Sequence, residues 1–183
     1  MEQIKIIFFV LSSFFAIEDG RIASNKTTIA IDPENKEIEI VQEKLFTVIR
    51  SERDRVIVLE EWGKLLNWKE REISWAKELD SFSVKSFNLA PIKNEVQPHL
   101  VLNYSKEEDL RSLGIWYNKE ENQFSINHIP QHNINTKDGK LIGNYWRFNS
   151  DSKFSFTMEP FLQMPEDYQK RKVTLEQLLA EKE

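Results

Sequence analysis

The chain has 183 residues, no cysteine, and 25 Lys+Arg against 30 Asp+Glu, for a net charge of -5. That length fits one domain, at roughly 100–200 residues each, while the composition excludes disulfides, thiolate metal sites and a thiol nucleophile. An acidic balance has the wrong sign for gripping a phosphate backbone, so nucleic acid is not an expected partner, and a hydrophobic content of 40% with mean hydropathy -0.53 describes a soluble globule.

Residues 1–24 have the layout of a secretory signal peptide: a short polar start with Lys5, an apolar run from Ile6 to Ala16, and a polar stretch to Ser24. As a helix the run would cover about 18 Å of a hydrocarbon core of about 30 Å, too little for a transmembrane span. Glu2 dilutes the positive start and no small-x-small cleavage triplet follows, so a buried strand over Ile6–Phe15 is the rival reading. The expectation carried forward is export, periplasmic, secreted or extracellular, with 25–183 as one β-rich domain; without export the chain would be cytoplasmic. Asn-x-Ser/Thr triplets at Asn25 and Asn103 are read as chance occurrences in an Asn-rich chain.

From Thr27 the pattern has period two: Ile29 and Ile31, a turn over Asp32-Pro33-Glu34-Asn35-Lys36, then Ile38 and Ile40, which predicts a hairpin. Leu45–Ile49 and Arg55–Leu59 read as further strands, because the β-branched Val56-Ile57-Val58 favours extension, with a long helix over Glu43–Leu66 as the rival that Glu52 and Arg53 interrupt. Residues Glu60–Leu79 allow either two short helices or a wide loop with a strand, with a helix over Glu70–Leu79 the expectation carried forward; strand spacing resumes at Phe82, Val84, Phe87 and Leu89, and Pro91 and Pro98 bracket a loop before a strand at His99–Tyr104. Ser105-Lys106-Glu107-Glu108 has the form of a capping box and Gly114 that of a left-handed cap, predicting a two-turn helix over 106–113. Residues 116–126 and 146–156 echo each other at a spacing of 30, which predicts two hairpins with a turn at Asp138-Gly139 between them. Thr174-Leu175-Glu176-Gln177 repeats the capping signature and opens a terminal helix near 174–182. The expected fold is mainly β, an antiparallel sandwich or open barrel of eight to ten short strands with these two helices. Gly114-Ile115-Trp116 resembles the Gly-x-Trp of the first lipocalin strand, but the 67 residues after Trp116 are too few for eight strands, so that barrel is not expected.

The histidines are His99, His128 and His132. His128 and His132 have the spacing of a helical metal pair, yet Pro130 between them denies the helix, and in an extended chain the rings would stand about 13 Å apart. No metal is expected, these three remaining weak candidates. No Gly-x-Ser-x-Gly elbow and no glycine-rich phosphate loop exist, so no cofactor is expected. Glu60-Glu61 and Glu107-Glu108-Asp109 are the carboxylates a small hydrolase could use across a sugar; the second group fits the acidic first turn of a helix, and Glu60 and Glu61 on a strand would face opposite ways. Aromatic residues point to binding. Trp146 and Phe148 share one strand face while Tyr145 and Arg147 take the other, and Trp116, Tyr145, Trp146 and Arg147 are the candidate ligand residues of an open sheet face. Lys170-Arg171-Lys172 reads as a solvated face. The expected function is non-enzymatic: an exported binding or envelope-associated protein contacting a protein, sugar or lipid. An acidic inhibitor or immunity-type partner and an acid–base hydrolase are the alternatives.

Overall fold

Alternation of apolar and polar side chains produces ten strands among residues 9–181, which the computed structural model describes. Strands β1 (Ala23–Asp32), β2 (Glu37–Val48), β3 (Val84–Ile92), β4 (Glu95–Asn103) and β9 (Phe154–Met158) form an antiparallel sheet in the order β3-β4-β2-β1-β9. β10 (Lys172–Thr174) continues along β2 beyond the stretch that pairs with β4. A smaller antiparallel sheet is built from β5 (Trp116–Asn118), β6 (Gln123–Asn127), β7 (Gly139–Ile142) and β8 (Tyr145–Asn149), in the order β5-β6-β8-β7. The architecture is mainly β with two sheets and no closed barrel. Register turns the period-two pattern into a core: Phe156, Ile29, Ile40, Leu100 and Phe87 stand in one row across five strands, all buried. Burying such side chains stabilises by roughly 1.5–3 kcal/mol each.

Helix α1 (Glu52–Leu66) replaces the strand expected at Arg55–Leu59. Ser51 caps it: its Oγ accepts from the Asp54 N–H, and the Asp54 carboxylate accepts from the N–H groups of Arg50 and Ser51. The buried face is Val58, Glu61, Trp62 and Leu65, spaced for a helix, while Glu52 and Arg53 lie on the solvent side. Packing and cap together outweigh the modest strand preference of Val56-Ile57-Val58. The helix expected over Glu70–Leu79 is also absent; these residues form turns, a bridge at Trp75 and a short 3-10 turn at Lys77–Leu79. Here aromatic packing dictates the path, with Trp75 stacked on Phe15 at 5.0 Å and Trp68 within 4.9 Å of both.

Pro91 and Pro98 lie in strands rather than around a loop, the turn falling at Lys93-Asn94. β3 is an edge strand, where Pro91 is tolerated, and Pro98 sits just outside the His99–Asn103 stretch that has neighbours on both sides. The helix expected over 106–113 is a 3-10 segment, Glu107–Leu113; Asp109, not Glu108, closes its first turn by accepting from the N–H groups of Ser105 and Lys106, both at 3.0 Å. Gly114 ends it at φ 78, as the sequence predicts. The terminal helix is α3 (Leu175–Ala180), closed by the Thr174–Gln177 capping box; α2 (Glu166–Gln169) is a single turn before β10.

The internal echo divides. Residues 116–126 form the β5–β6 hairpin, but in the second copy β8 pairs with β6 and β7 while β9 crosses to β1 in the other sheet. The turn joins β7 and β8 at Gly143-Asn144, with Gly143 at φ 61. Gly139 instead begins β7 opposite Phe148, where a Cβ would lie 2.5 Å from the ring, so the phenyl needs a residue without a side chain.

Within the apolar run Ile6–Ala16, residues 6–8 lie outside the described residues. Leu11, Phe14 and Phe15 are 0–2% exposed and belong to the core cluster, and Ile22 joins them. The polar stretch before Ser24 is held to α1: the Glu61 carboxylate accepts from the N–H of Arg21 at 2.8 Å, and Arg21 pairs with Asp54. Burial pushes the Glu61 carboxyl above its ordinary value of 4.5, opposed by the Arg21 and Ile22 N–H groups, the Ser12 hydroxyl and the Arg21 charge. A raised folded-state value means stability is full below 4.5 and falls as pH rises through that raised value. Glu61→Gln, which keeps an oxygen acceptor, is therefore expected to match the parent in urea midpoint at pH 4 and to exceed it at pH 7. A parent more stable than the variant at pH 7 would contradict this assignment.

Candidate functional site

The small sheet has two dissimilar faces because its strands alternate. Phe124, Ile126, Trp146 and Phe148 face the core. The opposite face carries Trp116, Ser125, Arg147 and Lys140 as one cross-strand row, with Gln123 and Tyr145 in the rows on either side. A groove of about 490 Å³ runs over this face, lined by Trp116, Asn118, Glu121, Gln123, Tyr145 and Arg147 among others. That volume lies in the range of small-ligand sites, roughly 300–1,000 Å³.

The β5–β6 turn supplies the polar wall. Asn118 Oδ1 accepts from the N–H groups of Glu120 and Glu121, folding the turn back over the sheet, while its amide donates to Glu121 at 3.3 Å. Arg147 donates to the same Glu121 carboxylate at 3.1 Å. Tyr117 donates to Asn122 Oδ1 at 3.0 Å and the Asn122 amide to Asp151 at 2.7 Å, so the far end of the turn is anchored as well. The Arg111 guanidinium lies 5.1 Å from the Trp116 ring centre and fixes the indole plane from the 3-10 segment. Two polar atoms at this site are shielded from solvent and have no hydrogen-bond partner among the described residues: the Trp116 indole N–H and Gln123 Oε1. Such groups cost about 1–3 kcal/mol each while unpaired.

Three of the four expected ligand residues, Trp116, Tyr145 and Arg147, thus meet in one groove. Trp146 does not join them; it packs against the core, and its indole donates to His128 Nδ1 at 3.2 Å. Sequence reasoning missed Asn118, Glu121 and Gln123, whose role depends on cross-strand register; the alternation of Gln123 and Ser125 with buried Phe124 and Ile126 was the available signal.

The three histidines go to separate partners. His99 contacts Glu39 at 2.7 Å, His128 accepts from Trp146, and His132 lies against Phe9 with ring centres 5.0 Å apart, its pKa lowered by burial. Among the described residues no group of three or more His, Cys, Asp or Glu could hold a metal ion. Glu60 and Glu61 lie on α1, Glu61 buried, rather than on a strand, and Asp109 is engaged in its helical turn. Lys172 departs from the solvated face expected of it: its ammonium sits 4.2 Å from the Phe46 ring centre and donates to Asn25, and burial lowers its pKa. No described helix is long and apolar enough to cross a membrane. Comparison with protein-family models, curated proteins and solved structures returned no match, so the groove is interpreted from its own chemistry.

Proposed function

We propose that the outer face of the small sheet is a carbohydrate-binding surface and that the protein acts as a binding module. The observation that carries this reading is the pair of unpartnered groups, the Trp116 indole N–H and Gln123 Oε1, at a groove walled by Trp116 and Tyr145 and fenced by Arg147 and Glu121. A sugar ring presents apolar C–H faces to an aromatic plate and hydroxyls that both donate and accept, which matches one unpaired donor and one unpaired acceptor once side-chain rotation uncovers them. A purely apolar lipid would leave both groups unsatisfied.

Titration with chitotriose, maltotriose and cellotriose, followed by intrinsic tryptophan fluorescence, is expected to give saturable binding for at least one of them. Trp116→Ala is expected to weaken that binding at least tenfold, about 1.4 kcal/mol, while Trp146→Phe leaves it within a factor of two or so. Equal affinity in Trp116→Ala and parent would remove the proposal. Export is supported by the layout of residues 1–24, and retention of that segment is supported by the packing of Leu11, Phe14 and Phe15. N-terminal sequencing of protein from its native cell separates a start near Asn25 from an intact Met1.

A further inference from the structure

A second groove, of about 600 Å³, opens beside the end of β2, between residues 9–23, the start of α1 and the segment leading into α2, and it shares no residue with the sheet groove. Its walls are mostly apolar: Phe46 meets Phe161 edge-on at 5.2 Å, and Phe9, Val10, Val48 and Met164 stand among the other lining residues. Its polar groups are few and unevenly charged. Arg21 is committed to Asp54, whose carboxyl is held below its usual range first by the N–H of Arg50 and then by the Arg21 side chain. The Arg50 guanidinium has no carboxylate partner among the described residues and lies 4.8 Å from the centre of the Tyr168 ring. Two cations against one anion leave one positive charge in excess at an apolar groove. Thr47, which also borders it, is 2% exposed with its Oγ1 unpartnered among the described residues.

We infer that this groove binds a medium-chain fatty acid, its carboxylate on Arg50 and its chain along Phe46, Phe161 and Met164. A guanidinium recognises a carboxylate through paired N–H donors, and an aliphatic chain gains by leaving water against aromatic and thioether walls. One wall comes from α2 and the segment preceding it, through Phe161, Met164 and Tyr168, and the rest from residues 9–23 and the end of β2.

Calorimetric titration of the full-length protein with decanoate, below the concentration at which it forms micelles, is the test. One saturable site is expected, weakened at least tenfold in Arg50→Gln and abolished in Met164→Glu, which puts an anion in the wall. The Trp116→Ala variant is expected to bind decanoate as the parent does, and 1-decanol to bind parent and Arg50→Gln alike. Absence of saturable heat, or equal decanoate affinity in parent and Arg50→Gln, overturns the assignment. Binding to phosphatidylglycerol vesicles without binding of free decanoate also overturns it, reassigning the basic groove to a membrane surface.

Discussion

A chain beginning at Asn25 is expected to lack cooperative structure. Residues 9–24 contribute Leu11, Phe14, Phe15 and Ile22 to the core, each 0–2% exposed, and emptying the space of one such side chain costs about 2–5 kcal/mol. Four of them together, about 8–20 kcal/mol, match or exceed most of the roughly 5–15 kcal/mol by which a domain is stable. Backbone hydrogen bonds go as well: Leu11 N–H to Ile22 C=O at 2.9 Å, Ala16 N–H to Ser74 C=O at 2.8 Å, and Ala76 N–H to Phe14 C=O at 3.0 Å. Trp68 and Trp75 would lose the Phe15 ring that both pack against, and Glu61 its partner N–H groups. Urea denaturation of residues 25–183 beside the full chain, followed by far-ultraviolet circular dichroism, checks this. A sigmoidal transition at the parental midpoint would show that the segment is dispensable and would favour its removal during export.

Phe148→Ala is expected to cost about 3–5 kcal/mol and to loosen the small sheet from the large one. Phe148 lies parallel to Phe154 of the other sheet at 4.5 Å and 5.6 Å from Phe156, while Phe124 reaches Phe154 at 5.5 Å. This cluster joins the two sheets face to face, and Gly139 is shaped around its central ring. Arg147 is the next residue along β8, on the opposite face, so displacement of the strand would also disturb the groove. Urea midpoints measure the first effect, and oligosaccharide affinity at low urea the second. A loss below about 1 kcal/mol would mean that the sheets are held elsewhere.

Period two was enough to find β1 and the first half of β2, strand-forming residues marked the second half of β4, and the echo marked β8 and β9; each has one buried face, and register cannot slip without exposing it. What it could not supply is strand partnership: the echo at a spacing of 30 describes similar strands, yet one copy closes on itself and the other splits between sheets, a choice made by the Phe148, Phe154 and Phe156 rings. Helix α1 was obscured because its cap uses Asp54 where Glu or Gln is the familiar closing residue, and because β-branched residues fill its first turns. The Phe9–Ile22 stretch has no clear periodicity, since side chains of a 3-10 turn and irregular backbone enter the core from several directions. In the groove, Trp116, Tyr145 and Arg147 were legible as outward positions on strands with a buried opposite face. Glu121 and Asn118 were not, because their place follows from the fold of a turn around side-chain hydrogen bonds.

The claim that the sheet groove takes a sugar is tested most directly by the indole N–H signals in a ¹H–¹⁵N nuclear magnetic resonance titration with the three oligosaccharides. Five tryptophans give five such signals. The signal of Trp116, unpartnered in the free protein, is expected to shift on ligand addition, while that of Trp146, already bonded to His128, stays in place. A bound sugar that leaves the Trp116 signal unmoved, or no shift with any of the three, would contradict the account.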